Sequence, residues 1–396
     1  EESFLRTDLY HQYAPFFSDF QYKLQHGGSL LYSWDIGLGV NFTAIYAYYL
    51  ASPLNWFVVL FPKRYVIEFV TLLIVVKTAL SSVSMTYYLL RHSSRDGLFA
   101  PIFGILYAFS AYMAAYSWNV MWLDCIVLFP LILLGTEEMV RGESSMKYIL
   151  CLGLSILSNY YISIMICLFL IFYAVFQAIT AELGLAETGK AALRFAIASL
   201  IAAGLAAVVL LPEIFALRLT ASGEMNFPKT FESYFSIVDM MARQLPFVEC
   251  EIGLDHWPNI YCGIFTLQLL LLYFSSREVP IKQRVGYALF LLFFFASFSV
   301  NVLNYIWHGF HYPNSLPARQ SFIFCFLVLY LSFQALERFP RFSPREIFLS
   351  FAAVVLFILF AEKLVTEEHF HFWVFYLAFL LAALYGLIFR SYATGQ

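Results

Sequence analysis

Residues 7–16 read TDLYHQYAPF, a mix suited to handling a polar, hydroxyl-rich molecule beside a carboxylate. Asp8 can take a proton, and Thr7, His11 and Gln12 can donate or accept hydrogen bonds. Tyr10, Tyr13 and Phe16 add flat apolar faces. Similar mixtures recur in LYSWDIGLGVNF, with Trp34 and Asp35, and in SWNVMWLDC, with Asn119, Trp122 and Asp124. Carboxylates, amides and aromatic faces together are what a sugar needs, because hydroxyls take the hydrogen bonds and ring C–H faces stack. Gly37 and Gly39 leave room for backbone to approach a ligand. Taken singly, Asp35 and Asp124 also have a structural reading, as helix caps or helix–helix hydrogen-bond partners.

Cations form the second constellation. Lys77 lies inside the apolar run VTLLIVVKTALSSVSMTYYLL, about eleven residues from its outer end, or ~16 Å at 1.5 Å per residue. A charge so near the bilayer middle is costly and faces a cavity or a partner. The functional reading is a cation lining a cavity for an anionic head group. The structural one is a lysine paired to a carboxylate or carbonyls. In IWHGFHYPNSLPARQSF, Pro317 suits a first helical turn and Arg319 follows it, which together would make a phosphate site. The other reading of Arg319 is a snorkelling interfacial anchor. His308 and His311 can add donors there but are a weak metal pair, and no metal site is expected.

The elements that must position these residues are membrane helices. Hydrophobic residues make up 61% of 396, aromatics 20% and charged residues only 12%, with mean hydropathy +0.75. Soluble domains carry about 25% charged residues. The expected fold is all-α, a polytopic membrane protein. A net charge of −3 gives no support to nucleic-acid binding. The six cysteines lack zinc or disulfide-framework spacing, and free thiols are the expectation even for Cys250 and Cys262, which flank one loop. P-loop, GxSxG, HExxH and CxxC patterns do not occur.

Apolar stretches fall near 66–90, 98–116, 122–139, 194–212, 259–274, 285–301, 320–337, 346–361 and 371–389. The stretch 148–179 carries a polar interruption at Ser158-Asn159-Tyr160 and divides into helices 148–158 and 160–179. That division is supported by charge. It places thirteen cations, Arg95 among them, in one set of short loops and nine in the longer opposite set. The positive-inside rule then predicts about eleven spans, with residues 1–65 and the loops 213–258 and 301–319 extracytoplasmic and 66–396 the transmembrane domain. Segment 43–61, broken at Ser52-Pro53, is expected to lie in the outer interface. The chain has no initial Met and starts within a polar loop, so a preceding helix is expected outside it.

Several stretches, in order, make the chain resemble the bacterial YfhO family of membrane proteins. They are TDLYHQYAPF, SWDIGLGVN followed by YYLASPLN, the intramembrane Lys77, WNVMWLDCIVLFPLILLG, LSNYYISIM and WHGFHYPNSLPARQSF. That family is similar to GT-C glycosyltransferases, polytopic enzymes with an acidic residue in the first external loop. The resemblance implies an undecaprenyl-phosphate-linked sugar as donor and a cell-envelope polymer, such as lipoteichoic acid, as acceptor. It puts Asp8 at the position of the acid, as general base of an inverting transfer. His11, Gln12, Tyr13, Trp34, Asp35, Lys77, Asn119, Trp122, Asp124, Asn159, Tyr160, His308 and Arg319 are the expected substrate contacts. No cofactor is expected. The chain departs from the family pattern in lacking the helix before the loop and the large extracellular C-terminal part of longer members. Acceptor-binding elements could therefore lie outside it. The alternative is a lipid-carrier or polysaccharide flippase without chemistry, for which a polar cavity and a helix broken at 158–160 would also serve.

Overall fold

The computed structural model describes residues 6–94, 97–218, 226–365 and 370–394; Arg95 lies outside them, as does part of the loop 213–258. Among the described residues the regular structure is helical, apart from one two-stranded hairpin and an isolated bridge between Ser233 and Val300. An apolar chain meets its backbone hydrogen bonds most simply within helices.

The first segment is built from short helical pieces. A π-helical turn, Leu9–Tyr13, runs into α1 (Ala14–His26), where Pro15 occupies the first turn and Gly27, at φ 70°, ends the helix. Strands β1 (Tyr32–Ser33) and β2 (Val40–Asn41) pair antiparallel, Tyr32 opposite Asn41. Gly39 has φ 110°, and a Cβ there would lie 2.0 Å from the Tyr32 hydroxyl. The space at Gly39 is therefore filled by the hairpin's own tyrosine, not kept for a ligand. Ser33 donates to Asp19 at 2.8 Å and ties the hairpin to α1. The Asn41 side chain caps α2 (Phe42–Ile45), and a second π-helical turn (Tyr46–Leu50) and a 3-10 helix (Pro53–Leu60) follow. Segment 43–61 is thus helical over most of its length.

Then come α3 (Val66–Arg91), α4 (Ala100–Ala108), α5 (Ala111–Tyr116), α6 (Leu123–Val140), α7 (Met146–Ser158), α8 (Tyr160–Thr180), α9 (Leu185–Leu205) and α10 (Ala207–Leu217). After the short α11 (Ile237–Ala242) the chain continues through α12 (Ile264–Ser275), α13 (Ile281–Ser299), α14 (Asn301–Trp307), α15 (Ser321–Glu337), α16 (Pro344–Leu364) and α17 (Phe372–Thr394). Six helices of the described residues are long and apolar enough to cross a membrane, and five shorter apolar ones accompany them. Each of the eleven expected stretches carries a helix or a helix pair.

The interruption at 158–160 is a reversal. Asn159 is extended, at φ −158° and ψ 103°, and its side chain accepts the Ile162 N–H at 2.9 Å to cap α8. The hydroxyls of Ser155 and Ser163 meet at 2.8 Å. In an unbroken helix residues eight apart would be separated by ~12 Å along the axis. The chain therefore doubles back at Asn159. At the other end of α7, Gly135 lets α6 approach, since a Cβ there would sit 2.6 Å from the Tyr148 backbone nitrogen.

The chain divides into two compact units. The first holds residues up to Ser84, Tyr116–Asn226 and Gly309–His311; the second holds Met85–Ala115, Phe227–His308 and the residues from Tyr312 onward. Within the second, Ile264, Val354, Ile358, Val374 and Phe375 form a core joining α12, α16 and α17. There the Ser93 hydroxyl and Ser94 N–H donate to the Glu337 carboxylate at 2.8 and 2.9 Å. Buried Arg243 donates to the carbonyls of Glu249 and Pro258 and to the Asn259 side chain, which folds its loop onto itself. All six cysteines are free thiols.

Candidate functional site

The first unit fastens its opening segment to its membrane helices through polar side chains. Tyr13, 4% exposed, donates its hydroxyl to Asn119 Oδ1 at 2.9 Å and stacks on Trp118 with ring centroids 6.1 Å apart. Asn119 is fully buried just before α6, and its Nδ2 has no hydrogen-bond partner. Leaving such a donor unmet costs ~1–3 kcal/mol, so the amide is poised for an acceptor. From the other side, Asn159 Nδ2 donates to the Tyr48 carbonyl at 3.1 Å. One asparagine therefore caps α8 and holds the second π-helical turn.

Those two contacts frame an aromatic floor. The Tyr48 ring lies 4.7 Å from Tyr49, 6.0 Å from Tyr160 and 6.1 Å from Tyr161. Tyr49 tilts against Tyr13 at 5.4 Å, and His311 reaches Tyr161 at 5.9 Å. The Tyr160 hydroxyl donates to Glu213 Oε1 at 2.6 Å, while Glu213 Oε2 is buried with no hydrogen-bond partner. Both π-helical turns, Leu9–Tyr13 and Tyr46–Leu50, contribute to this floor. Such turns are frequent at functional sites because the widened backbone re-aims side chains.

Asp8 stands one turn before Gln12, half-buried, and among the described residues no hydrogen bond or ion pair engages its carboxylate. Gln12 is exposed and accepts from Tyr49 at 3.4 Å, a long contact. His11 is exposed and sits edge-on to Tyr10 at 5.1 Å. Trp34 and Asp35 are exposed in the hairpin, Trp34 edge-on to Tyr32 at 4.9 Å. They make no contact with the tyrosine floor in the bonds and ring pairs seen.

Lys77 and Asp124 form a closed knot. Lys77 is wholly buried and donates to Asp124 Oδ2 at 2.6 Å and to the Val120 carbonyl at 3.1 Å. Ser52 donates to Asp124 Oδ1 at 2.8 Å. Trp122 is buried beside it, edge-on to Tyr116 at 5.7 Å. Of the two readings of Lys77, the paired lysine is the one seen, its side chain wholly shielded from solvent.

Two expected residues belong to the second unit. Arg319 does not open a helix: α15 begins at Ser321. Leu316 and Ala318 both take positive φ, 57° and 50°, which breaks the expected first turn. The Arg319 guanidinium instead donates to the carbonyls of Ser315 and Leu316 at 2.9 and 3.0 Å. His308 is fully buried at the end of α14, its Nδ1 2.7 Å from the Asn304 carbonyl. Among the described residues no three His, Cys, Asp or Glu side chains gather at metal-ligand spacing.

Sequence reasoning missed Glu213, Tyr48 and Tyr49. The signal for Glu213 was an acid directly after Pro212 in an otherwise apolar helix, VVLLPEIFAL. The two tyrosines were indistinguishable from an interfacial belt. Comparison with known families gives a match over residues 1–394, described as bacterial membrane protein YfhO. No curated protein and no solved structure matches the chain. The chain belongs to the YfhO family of bacterial membrane proteins.

Proposed function

We propose that this YfhO-family membrane protein is a glycosyltransferase with its reacting centre beside Asp8. The observation that carries this reading is the contrast in how carboxylates are held in the first unit. Asp124 has both oxygens engaged, whereas Asp8 is half-buried and, among the described residues, unengaged, on a segment fastened by Tyr13–Asn119 and Asn159–Tyr48. A free, positioned carboxylate next to a floor of tyrosines and amides suits the handling of hydroxyl-rich molecules.

The donor in this reading is a polyprenyl-phosphate-linked sugar and the acceptor a cell-envelope polymer on the outer face. The acceptor oxygen forms a bond to the anomeric carbon, and its proton passes to Asp8. The bond from that carbon to the phosphate oxygen breaks, and the electron pair leaves with the phosphate. A single displacement inverts the anomeric centre through an oxocarbenium-like transition state. Gln12, Asn119, Asn159 and the tyrosines hold sugar hydroxyls and ring faces. Lys77 acts at a distance, by fixing Asp124 and the start of α6.

A second reading, movement of a lipid carrier without chemistry, draws on the broken helices at Asn159 and Ala206. Purified protein in detergent, given a lipid-linked sugar and a polymer acceptor, separates the two. Transfer of label to the polymer is expected. No transfer, with the same protein scrambling the lipid-linked sugar across liposomes, would replace the transferase by the carrier.

A further inference from the structure

Both cations that the sequence nominates for a phosphate are occupied. Lys77 is sealed against Asp124, and Arg319 binds its own loop. Another pair is not. Lys63 and Arg64 immediately precede α3 and are exposed, and no carboxylate or carbonyl engages either side chain among the described residues. With His11, Tyr10 and Ser18 they line an open cleft of about 500 Å³. Among the described residues no carboxylate lines it. The Arg64 guanidinium carbon sits over the Tyr65 ring, 4.6 Å from its centroid, a contact that uses none of its hydrogen-bond donors. Val66, the first residue of α3, also lines the cleft, so the positive end of a 26-residue helix adds to the field.

Ile67 also lines the cleft, and beyond the exposed Glu68 the outer face of α3 exposes Leu72, Val75, Val76, Leu80 and Val83. Cations at one end of a lipid-facing apolar stripe match a molecule with a phosphate head and a hydrocarbon tail. We infer that the cleft formed by His11, Lys63 and Arg64 binds the phosphate of a lipid whose chain lies along α3. That this lipid is the sugar carrier rests on the transferase reading above; the binding itself does not. His11 then places the phosphate three residues from Asp8, on the same helical segment.

The test is a titration of the whole chain, in nanodiscs of neutral phosphatidylcholine, with a long-chain prenyl phosphate. Free prenol and inorganic phosphate are run as separate arms. Prenyl phosphate should bind, prenol should not, and inorganic phosphate should fail to displace it at equal concentration. Lys63→Gln with Arg64→Gln should weaken binding at least about tenfold, since charge-assisted hydrogen bonds are lost. Lys63→Arg with Arg64→Lys keeps the charge and the fold and should bind within about threefold of the parent. Unchanged binding by the double glutamine variant, or equal binding of prenol, would overturn the site. Displacement by equimolar inorganic phosphate would overturn the lipid as its occupant. A parent that binds prenyl phosphate through these residues but transfers no sugar keeps the site and removes the transferase. Normal transfer and binding by the glutamine variant does the reverse.

Discussion

The first unit contains two polar regions built from similar residue types and held in opposite ways. Around Asp124, every charged atom has a partner: Lys77 and Ser52 share the two carboxylate oxygens, and Val120 takes a second lysine hydrogen. Asp8 has no bonded partner among the described residues, and on the same segment His11 borders an open cleft with Lys63 and Arg64, over which no ion pair closes among those residues. A buried charge has to be neutralised locally because desolvation is expensive, so the Asp124 knot reads as architecture. Charges left open at the end of a membrane helix have no such structural explanation and are free to meet a ligand. Position in the sequence does not make this distinction; partners do.

That contrast can be broken at the knot first. Lys77→Met leaves Asp124 buried without its cation and should destabilise the protein by about 3–5 kcal/mol, the usual effect of removing half of a buried pair. Adding Asp124→Leu should recover much of the loss, because two apolar residues need no partners. Thermal unfolding in detergent reads both. A Lys77→Met protein of parental stability that had lost donor binding would move Lys77 from the architecture to the site.

A smaller effect is expected at the tyrosine floor. Tyr160→Phe removes the donor to Glu213 Oε1 and leaves a buried carboxyl with neither oxygen bonded. The expected cost is about 1–3 kcal/mol in the same unfolding measurement. Tyr160→Phe with Glu213→Leu should lie closer to the parent, and a double variant worse than the sum of the two would show that Glu213 has another task. Smallest of all is Asp19→Asn. The amide oxygen can still accept from Ser33, so stability should change by no more than about 0.5 kcal/mol and transfer should be retained.

Much of the helical plan was legible because membrane helices announce themselves by apolar length. The reversal at Asn159 was legible for a second reason: a Ser-Asn pair inside an apolar run offers a cap where nothing else does. Arg319 was not. Its neighbours Leu316 and Ala318 adopt left-handed backbone that side-chain-bearing residues rarely take, so a Pro-Ala-Arg run that reads as a helix start is a loop. Glu213 was hidden by lying where an apolar stretch was expected to end, whereas α10 carries on to Leu217. Lys63 and Arg64 read as loop cations like any others. Only their shared cleft with His11, which lies 52 positions before Lys63 and 53 before Arg64, sets them apart.

The central claim is that the free carboxylate does chemistry while the paired one holds structure, and Asp8→Asn tests it at one atom. Asparagine keeps the shape but cannot take a proton. Single-turnover transfer from the lipid-linked sugar should fall by ~10²–10⁴-fold, the usual effect of losing a positioned acid or base. Unfolding temperature and donor binding, measured on the same preparation, should match the parent. An Asp8→Asn protein that transfers sugar at the parental rate would contradict the account.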